Sequence, residues 1–213
     1  MITDPTTLHI LHIFYLVALA AEAMTAALAA GRRSMDWVGV ILLACVTGLG
    51  GGSVRDLLLD HHPLSWVGSP GLLLVTSGAA ILTIMIARHM HRLQRLFLFL
   101  DAVGLVVFSV IGSNIAIGLD QPILVVIAAG MISGCVGGVL RDILCNDVPL
   151  LLRAELYATV SVITSAIFAG GGRLGFDHNL VLLLAVTTGL CLRMLALRYN
   201  WSMPKFIYKH DLD

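Results

Sequence analysis

The sequence predicts an all-α integral membrane fold: seven transmembrane helices, arranged as two inverted three-helix repeats plus a seventh helix. Three observations predict it. The 213 residues are 58% hydrophobic and only 12% charged, with a mean hydropathy of +0.95, whereas a soluble domain carries about 25% charged residues. Apolar stretches recur along the chain, most of them long enough for the roughly 20 residues that cross a bilayer. An intramembrane motif also occurs twice, as Gly51-Gly52-Ser53-Val54-Arg55-Asp56 and Gly137-Gly138-Val139-Leu140-Arg141-Asp142, 86 residues apart. The same offset carries Gly48 to Gly134, Leu58 to Leu144, Pro63 to Pro149 and Leu64 to Leu150.

The first span covers about 9–30. Ala27-Leu28-Ala29 resembles a signal-peptidase site, but residues 1–12 hold no Lys or Arg, so the stretch reads as a retained span entering from outside. Gly31-Arg32-Arg33 closes it. The second span, 37–59, carries the first motif and ends at His61-His62-Pro63. The third span, 71–87, is short. A basic run from Arg88 to Arg95 separates it from the fourth, 97–118, and Gly118-Leu119-Asp120-Gln121-Pro122 breaks the chain before the fifth, 123–145. That span carries the second motif and ends at Asn146-Asp147-Val148-Pro149. The sixth, 155–171, is again short and closes at Gly170-Gly171-Gly172. Short spans are accommodated by tilt or by cover from neighbouring protein. The seventh, 179–199, lies outside the repeat and reads as a brace or an oligomer contact.

The chain thus reads as a single transmembrane domain over 1–213, with repeat 1 at about 9–87, repeat 2 at about 97–171 and an extra helix at about 179–199. Three spans per repeat is an odd number, so the second copy enters the bilayer inverted. Basic residues set the orientation. With the N-terminus outside, the cytoplasmic loops and tail hold Arg32, Arg33, Arg88, Arg92, Arg95, Arg153, Arg198, Lys205 and Lys209, against Arg173 alone outside. The C-terminus is then cytoplasmic.

Several classes are excluded. Formal net charge is zero, which indicates no nucleic-acid partner. Walker, GxSxG and HExxH patterns are absent, and both glycine-rich segments end in Arg-Asp rather than Gly-Lys-Ser/Thr, so no enzyme is expected. Cys45, Cys135, Cys145 and Cys191 are dispersed through apolar sequence without metal-ligand spacing and read as small buried thiols. No cofactor or resident metal is expected. His61-His62 fits a solvated turn better than a pH sensor or metal site, and His9, His12, His89, His91, His178 and His210 lie at interfaces or loops.

The candidate pore and gate residues are Gly50, Gly51, Gly52, Ser53, Arg55 and Asp56 in the second span, with Gly134, Gly137, Gly138, Arg141 and Asp142 in the fifth. The glycines admit two readings: close helix packing through small residues, or a kink that turns carbonyls toward a polar cavity. The arginines lie about 10 Å beyond their span midpoints, on opposite sides of the membrane centre if the repeats are inverted; snorkelling to the headgroups is the alternative. Adjacent helical residues do not face each other. Arg55 is therefore expected to pair across the repeats, with Asp142, Asp101 or Glu22, rather than with Asp56. Glu22 and Asp101 are further intramembrane acids; the offset maps Glu22 to Phe108 and Asp101 to Tyr15. Glu22, deep in the first span, needs a partner or a wet cavity, while Asp101 suits either a solvated helix start or a pore. Thr47 and Ser133, with Thr25, Ser53, Ser109, Ser113 and Asn114, put small hydroxyls and amides into the first two helices of each repeat, as a path lined by spans 1, 2, 4 and 5 requires.

At these residues the chain resembles the bacterial branch of the trimeric intracellular cation channel (TRIC) family. The twin GGxxRD motifs carry the resemblance, with Ala26-Ala27-Leu28-Ala29-Ala30-Gly31-Arg32-Arg33 and with Cys145-Asn146-Asp147-Val148-Pro149-Leu150 leading to Arg153-Ala154-Glu155-Leu156-Tyr157-Ala158. It extends over roughly residues 10–200. The resemblance implies seven spans, a homotrimer, one hourglass pore per protomer kinked at the glycines of spans 2 and 5, and passive conduction of potassium or sodium ions, with membrane lipids in clefts. The chain departs from the family pattern at Tyr15 and Glu22, where many relatives have an acid and an aromatic. The lysine-centred phosphoinositide motif of animal members is absent, so that ligand is not carried over. The rival expectation is a secondary transporter of glycine or another small amino acid, a label bacterial relatives often bear. An arginine and half-helix N-termini would then hold the carboxylate.

Overall fold

The computed structural model describes residues 5–87, 93–152 and 156–201. Among them the chain forms α1 (Pro5–Arg32), α2 (Trp37–Leu58), α3 (Ser65–Gly68), α4 (Gly71–Ala87), α5 (Leu93–Gly118), α6 (Ile123–Leu144), α7 (Tyr157–Arg173) and α8 (His178–Tyr199), with one 3-10 turn at Leu150–Leu152. Five of these helices are long and apolar enough to cross a membrane by length and composition. α4 and α7, the two short spans of the sequence, have 17 residues each. α1 and α5 begin about a turn before the predicted boundary. Polar residues such as Gln94 and Arg95 are good helix formers, and nothing in the sequence stops the helix where apolarity ends. The single-turn α3 and the 3-10 turn were not expected; they follow the two motif helices at the equivalent Pro63-Leu64 and Pro149-Leu150.

The repeat extends to individual hydrogen bonds. The Leu59 amide donates to the Arg55 carbonyl and the Cys145 amide to the Arg141 carbonyl, both at 3.0 Å. The amides of His61 and Asp147 donate to the carbonyls of Asp56 and Asp142, both at 2.8 Å. Asp60 and Asn146 share a left-handed conformation (φ 51° and 53°), as do Ser34 and Asp120 (φ 53° and 54°). Each of these pairs is separated by the offset seen in the motifs. Loop entry and exit therefore recur with the sequence, although the residues at the turns differ.

α1, α2 and α4 pack on one another, and so do α5, α6 and α7. The two sets meet where α1 lies on α5 and α2 on α6, and α8 packs on α7 and α5. The α2–α6 crossing is reciprocal. A Cβ at Gly51 would collide with the Ser133 carbonyl, and one at Gly137 with the Thr47 carbonyl. Since 47 meets 137 and 51 meets 133, residue numbers fall on one helix as they rise on the other, and the helices run antiparallel. α1 and α5 do the same, with Tyr15 against Phe108 and Glu22 against Gly104. α2 and α6 are each helical throughout, across their glycines. The contribution of Gly51 and Gly137 visible here is close approach of two backbones, which any side chain would prevent.

The distribution of polarity is that of a protein in lipid. Trp37, Val38, Leu42, Leu74, Met85 and Leu124 point outward. Glu22, Arg55, Asp56, Asp101, Arg141, Asp142 and Arg193 are buried between helices, where membrane proteins keep their rare intramembrane charges.

Candidate functional site

Two buried Arg-Asp clusters lie beside the α2–α6 crossing. In the first, Arg55 pairs with its own neighbour. Its Nε donates to Asp56 Oδ1 at 3.0 Å and its Nη2 to the same oxygen at 2.6 Å. This corrects the expectation of a cross-repeat carboxylate: the Cβ atoms of adjacent residues diverge, but the long arginine side chain folds back across the turn. Arg55 does reach the other repeat, through Nη1 to Ser133 Oγ at 3.4 Å. Asp56 is wholly buried and well supplied. Its Oδ2 accepts from the Ser65 amide at 2.9 Å and the Ser65 hydroxyl at 2.8 Å, and His61 Nδ1 lies 3.1 Å from Oδ1. α3 thus serves to cap a buried carboxylate.

An open cavity of about 230 Å³ leads to this cluster, lined among others by Tyr15, Gly48, Gly52, Arg55, Trp66, Phe108 and Ser133. Its walls come from α1, α2, α5 and α6, and also from Ser65 and Trp66 of α3 and Leu72 of α4; of the small polar residues expected to line a path, Ser133 borders it.

The second cluster is denser. Arg141, with no exposed surface, donates from Nε to Asp142 Oδ1 at 2.9 Å and from Nη1 to Asp101 Oδ1 at 2.8 Å and Thr25 Oγ1 at 3.0 Å. Glu22 Oε2 is 3.7 Å from the same Nη1. Cross-element pairing with Asp101 and Glu22 thus occurs, but it belongs to Arg141. Asp142 Oδ2 accepts from the Leu150 amide at 2.9 Å, the counterpart of the Ser65 amide on Asp56. The Arg141 guanidinium stacks over Phe97, 4.7 Å from the ring centre, and Arg32 approaches the same ring at 4.9 Å. The Tyr157 hydroxyl donates to Asp101 Oδ1 at 3.4 Å, and Arg193 of α8 lies 4.8 Å from the Tyr157 ring centre. Asp101 is buried, not at a solvated helix start.

The remaining candidates have local roles. Thr47 and Ser53 donate back to Leu43 and Leu49 carbonyls at 2.7 and 2.8 Å, the common habit of hydroxyls in membrane helices. A Cβ at Gly50 would meet Leu140, one at Gly134 would meet Ser109 and the Leu105 carbonyl, and one at Gly138 would meet the Tyr157 hydroxyl. Gly52 lies against the Arg55 guanidinium. Sequence reasoning missed Ser65, His61, Phe97 and Arg193 as cluster members. Tyr157 and Arg32 carried a signal, each within a family-like segment. Arg88, Arg92, Arg153, Glu155, Lys205, Lys209, His89, His91 and His210 lie outside the described residues. Among the described residues no group of three or more His, Cys, Asp or Glu is placed to hold a metal ion.

The comparisons agree with this architecture. A sequence-family model described as "Glycine transporter" matches residues 12–88 and 98–171. The inner membrane protein YadS of Escherichia coli strain K12 is 36% identical over 193 residues, spanning 90% of this chain and 93% of its own. The membrane protein YvgT of Bacillus subtilis is 31% identical over 200 residues, 92% of this chain and 96% of its own. The TRIC trimeric intracellular cation channel orthologue of Rhodobacter sphaeroides superposes with a TM-score of 0.87 at 34% identity, over 90% of this chain and 98% of that one. The TRIC channel of Caenorhabditis elegans, at 18% identity and a TM-score of 0.62 over 85% of this chain and 89% of that one, shares the fold.

Proposed function

This chain belongs to the bacterial branch of the TRIC cation-channel family, and from that premise we propose that it is a homotrimeric, potassium-permeable channel for monovalent cations, with one pore in each protomer. It is a multi-pass protein of the bacterial inner membrane, oriented with the N-terminus outside, and it catalyses no reaction. The path runs through a single transmembrane domain of seven spans. α1, α2 and α4 form repeat 1, α5, α6 and α7 form repeat 2 inverted against it, and α8 is the extra helix. The antiparallel contacts of α1 with α5 and of α2 with α6 support the inversion.

The observation that carries the proposal is the reciprocal Gly51–Gly137 crossing, flanked by a buried Arg-Asp cluster from each repeat and reached by an open cavity. Charge is costly inside a membrane and a run of glycines weakens a helix, and a pathway explains why both occur twice. In this reading the constriction lies at this crossing, and Gly50, Gly51 and Gly52 of α2 with Gly134, Gly137 and Gly138 of α6 are the places at which the two helices would kink. The nearby carbonyls of Thr47 and Ser133, with small hydroxyls, replace part of the ion's hydration shell. Arg55 with Asp56 and Arg141 with Asp142 set the gate, because the pairing within each cluster decides whether its arginine repels a passing cation. Permeant potassium or sodium ions are the cargo, and membrane lipids cover the outward apolar faces.

The description of the family model favours a second reading, a glycine transporter, in which Arg55 at the cavity would receive the carboxylate. Single-channel records test the leading one. Arg55→Ala and Arg141→Ala each change open probability or conductance if the clusters are the gate, and unchanged records for both variants remove that role.

A further inference from the structure

The two Arg-Asp clusters are sequence equivalents with unlike surroundings. The repeat offset pairs Tyr15 with Asp101 and Phe108 with Glu22. Beside Arg55 these two positions hold rings in edge contact, their centres 5.9 Å apart. Beside Arg141 they hold two carboxylates. The second cluster therefore gathers Glu22, Asp101 and Asp142 around one guanidinium.

The three carboxylates are not equally served. Asp142 has both oxygens engaged, by Arg141 Nε and the Leu150 amide. Asp101 Oδ1 receives Arg141 and Tyr157. Glu22 has least. Its Oε2 lies 3.3 Å from Thr25 Oγ1, whose single proton is closer to the Glu22 backbone carbonyl at 2.8 Å, and 3.7 Å from Arg141. Its Oε1 is buried without a hydrogen-bond partner. Among the described residues, the other charged and titratable groups around it are few. Tyr157 of α7 faces Asp101, Arg193 of α8 lies across the Tyr157 ring, and Arg32 of α1 lies across the Phe97 ring. Cys135 of α6 is buried in the same region. α4 carries no titratable side chain, and Arg55 and Asp56 of α2 belong to the other cluster. Among the described residues of this cluster, even with Arg193 counted beside Arg141, three buried carboxylates outnumber two buried cations. A buried carboxylate without a counter-charge neutralises rather than stay ionised.

We propose that Glu22 is a buried proton-binding site, protonated in the packing seen here and deprotonated when the Arg141 cluster opens to water. A metal ion is the wrong occupant. Hard cations take about six oxygen ligands. The cluster offers two unpartnered oxygens, Glu22 Oε1 and Asp101 Oδ2, and the space beside Gly104 is filled by Glu22 itself. The functional consequence rests on the channel reading. If opening hydrates the cluster, opening releases a proton, so raising the pH favours the open state.

Infrared spectroscopy of the purified full-length protein tests the site directly. At neutral pH the wild type should show the carbonyl stretch of a protonated carboxylic acid, and Glu22→Gln should lose it. Glutamate occurs in this chain only at 22 and 155, so in Glu155→Gln a carbon-13 glutamate label falls on Glu22 alone and identifies the band, should Glu22→Gln fail to fold. A wild type without such a band, or a band that neither Glu22→Gln nor glutamate labelling moves, overturns the proposal. In bilayer recordings the wild type should open more as pH rises, and Glu22→Gln should lose that dependence. pH-independent wild-type currents overturn the coupling, whereas absence of current at every pH counts against the channel reading and leaves the infrared result to judge the proton.

Discussion

At the scale of single residues, the glycines and arginines make separable demands. Gly51 is required by backbone proximity to Ser133, while Gly78 in α4 has open space where a Cβ would go. Gly51→Ala should therefore destabilise by about 1–3 kcal/mol through overpacking, and Gly78→Ala should be neutral or stabilise by up to about 1 kcal/mol through helix propensity. Thermal unfolding in detergent checks the pair, and equal melting temperatures would contradict the assignment. The arginines should also differ. Arg141→Ala strands the buried carboxylates of Asp101 and Asp142, a loss of about 3–5 kcal/mol by analogy with broken buried ion pairs. Arg55→Ala strands only Asp56, which keeps Ser65 and His61. The same melting assay should rank Arg141→Ala well below Arg55→Ala. The burial of both arginines was foreshadowed by their intramembrane placement. Their partners were not, because a rule about where adjacent Cβ atoms point says little about an arginine head group several bonds away.

At the scale of elements, hydropathy and turn signals placed every long helix within a few residues, because lipid leaves helical hydrogen bonding as the way to satisfy the backbone. Ser65–Gly68 and Leu150–Leu152 escaped. Each is a single turn held by a carboxylate from the preceding helix, a tertiary contact that no local periodicity announces. The α2–α6 crossing belongs to this scale too. A Cβ at Gly50 would lie 2.6 Å from Leu140 Cδ1, so Gly50→Cys with Leu140→Cys, in a background freed of native cysteines, should cross-link within one protomer under a short bifunctional thiol reagent. Failure to form that link, with Gly50→Cys and Ile127→Cys linking instead, would mean that the helices run parallel.

For the whole molecule, the repeat was the decisive signal. One offset relates motifs, loop conformations, hydrogen bonds and helix packing, and it also exposes where the two halves differ, at Tyr15 and Phe108 against Asp101 and Glu22. That asymmetry was visible in the sequence as a failed correspondence. Its meaning needed three dimensions, since only the fold puts Glu22, Asp101 and Asp142 on one guanidinium. Planar-bilayer recording of the purified protein under a potassium gradient, with glycine added afterwards, tests the central claim most directly. Discrete unitary currents that reverse near the potassium equilibrium potential and ignore glycine are the predicted result. A silent bilayer, with saturable glycine uptake by the same preparation in liposomes, would contradict it.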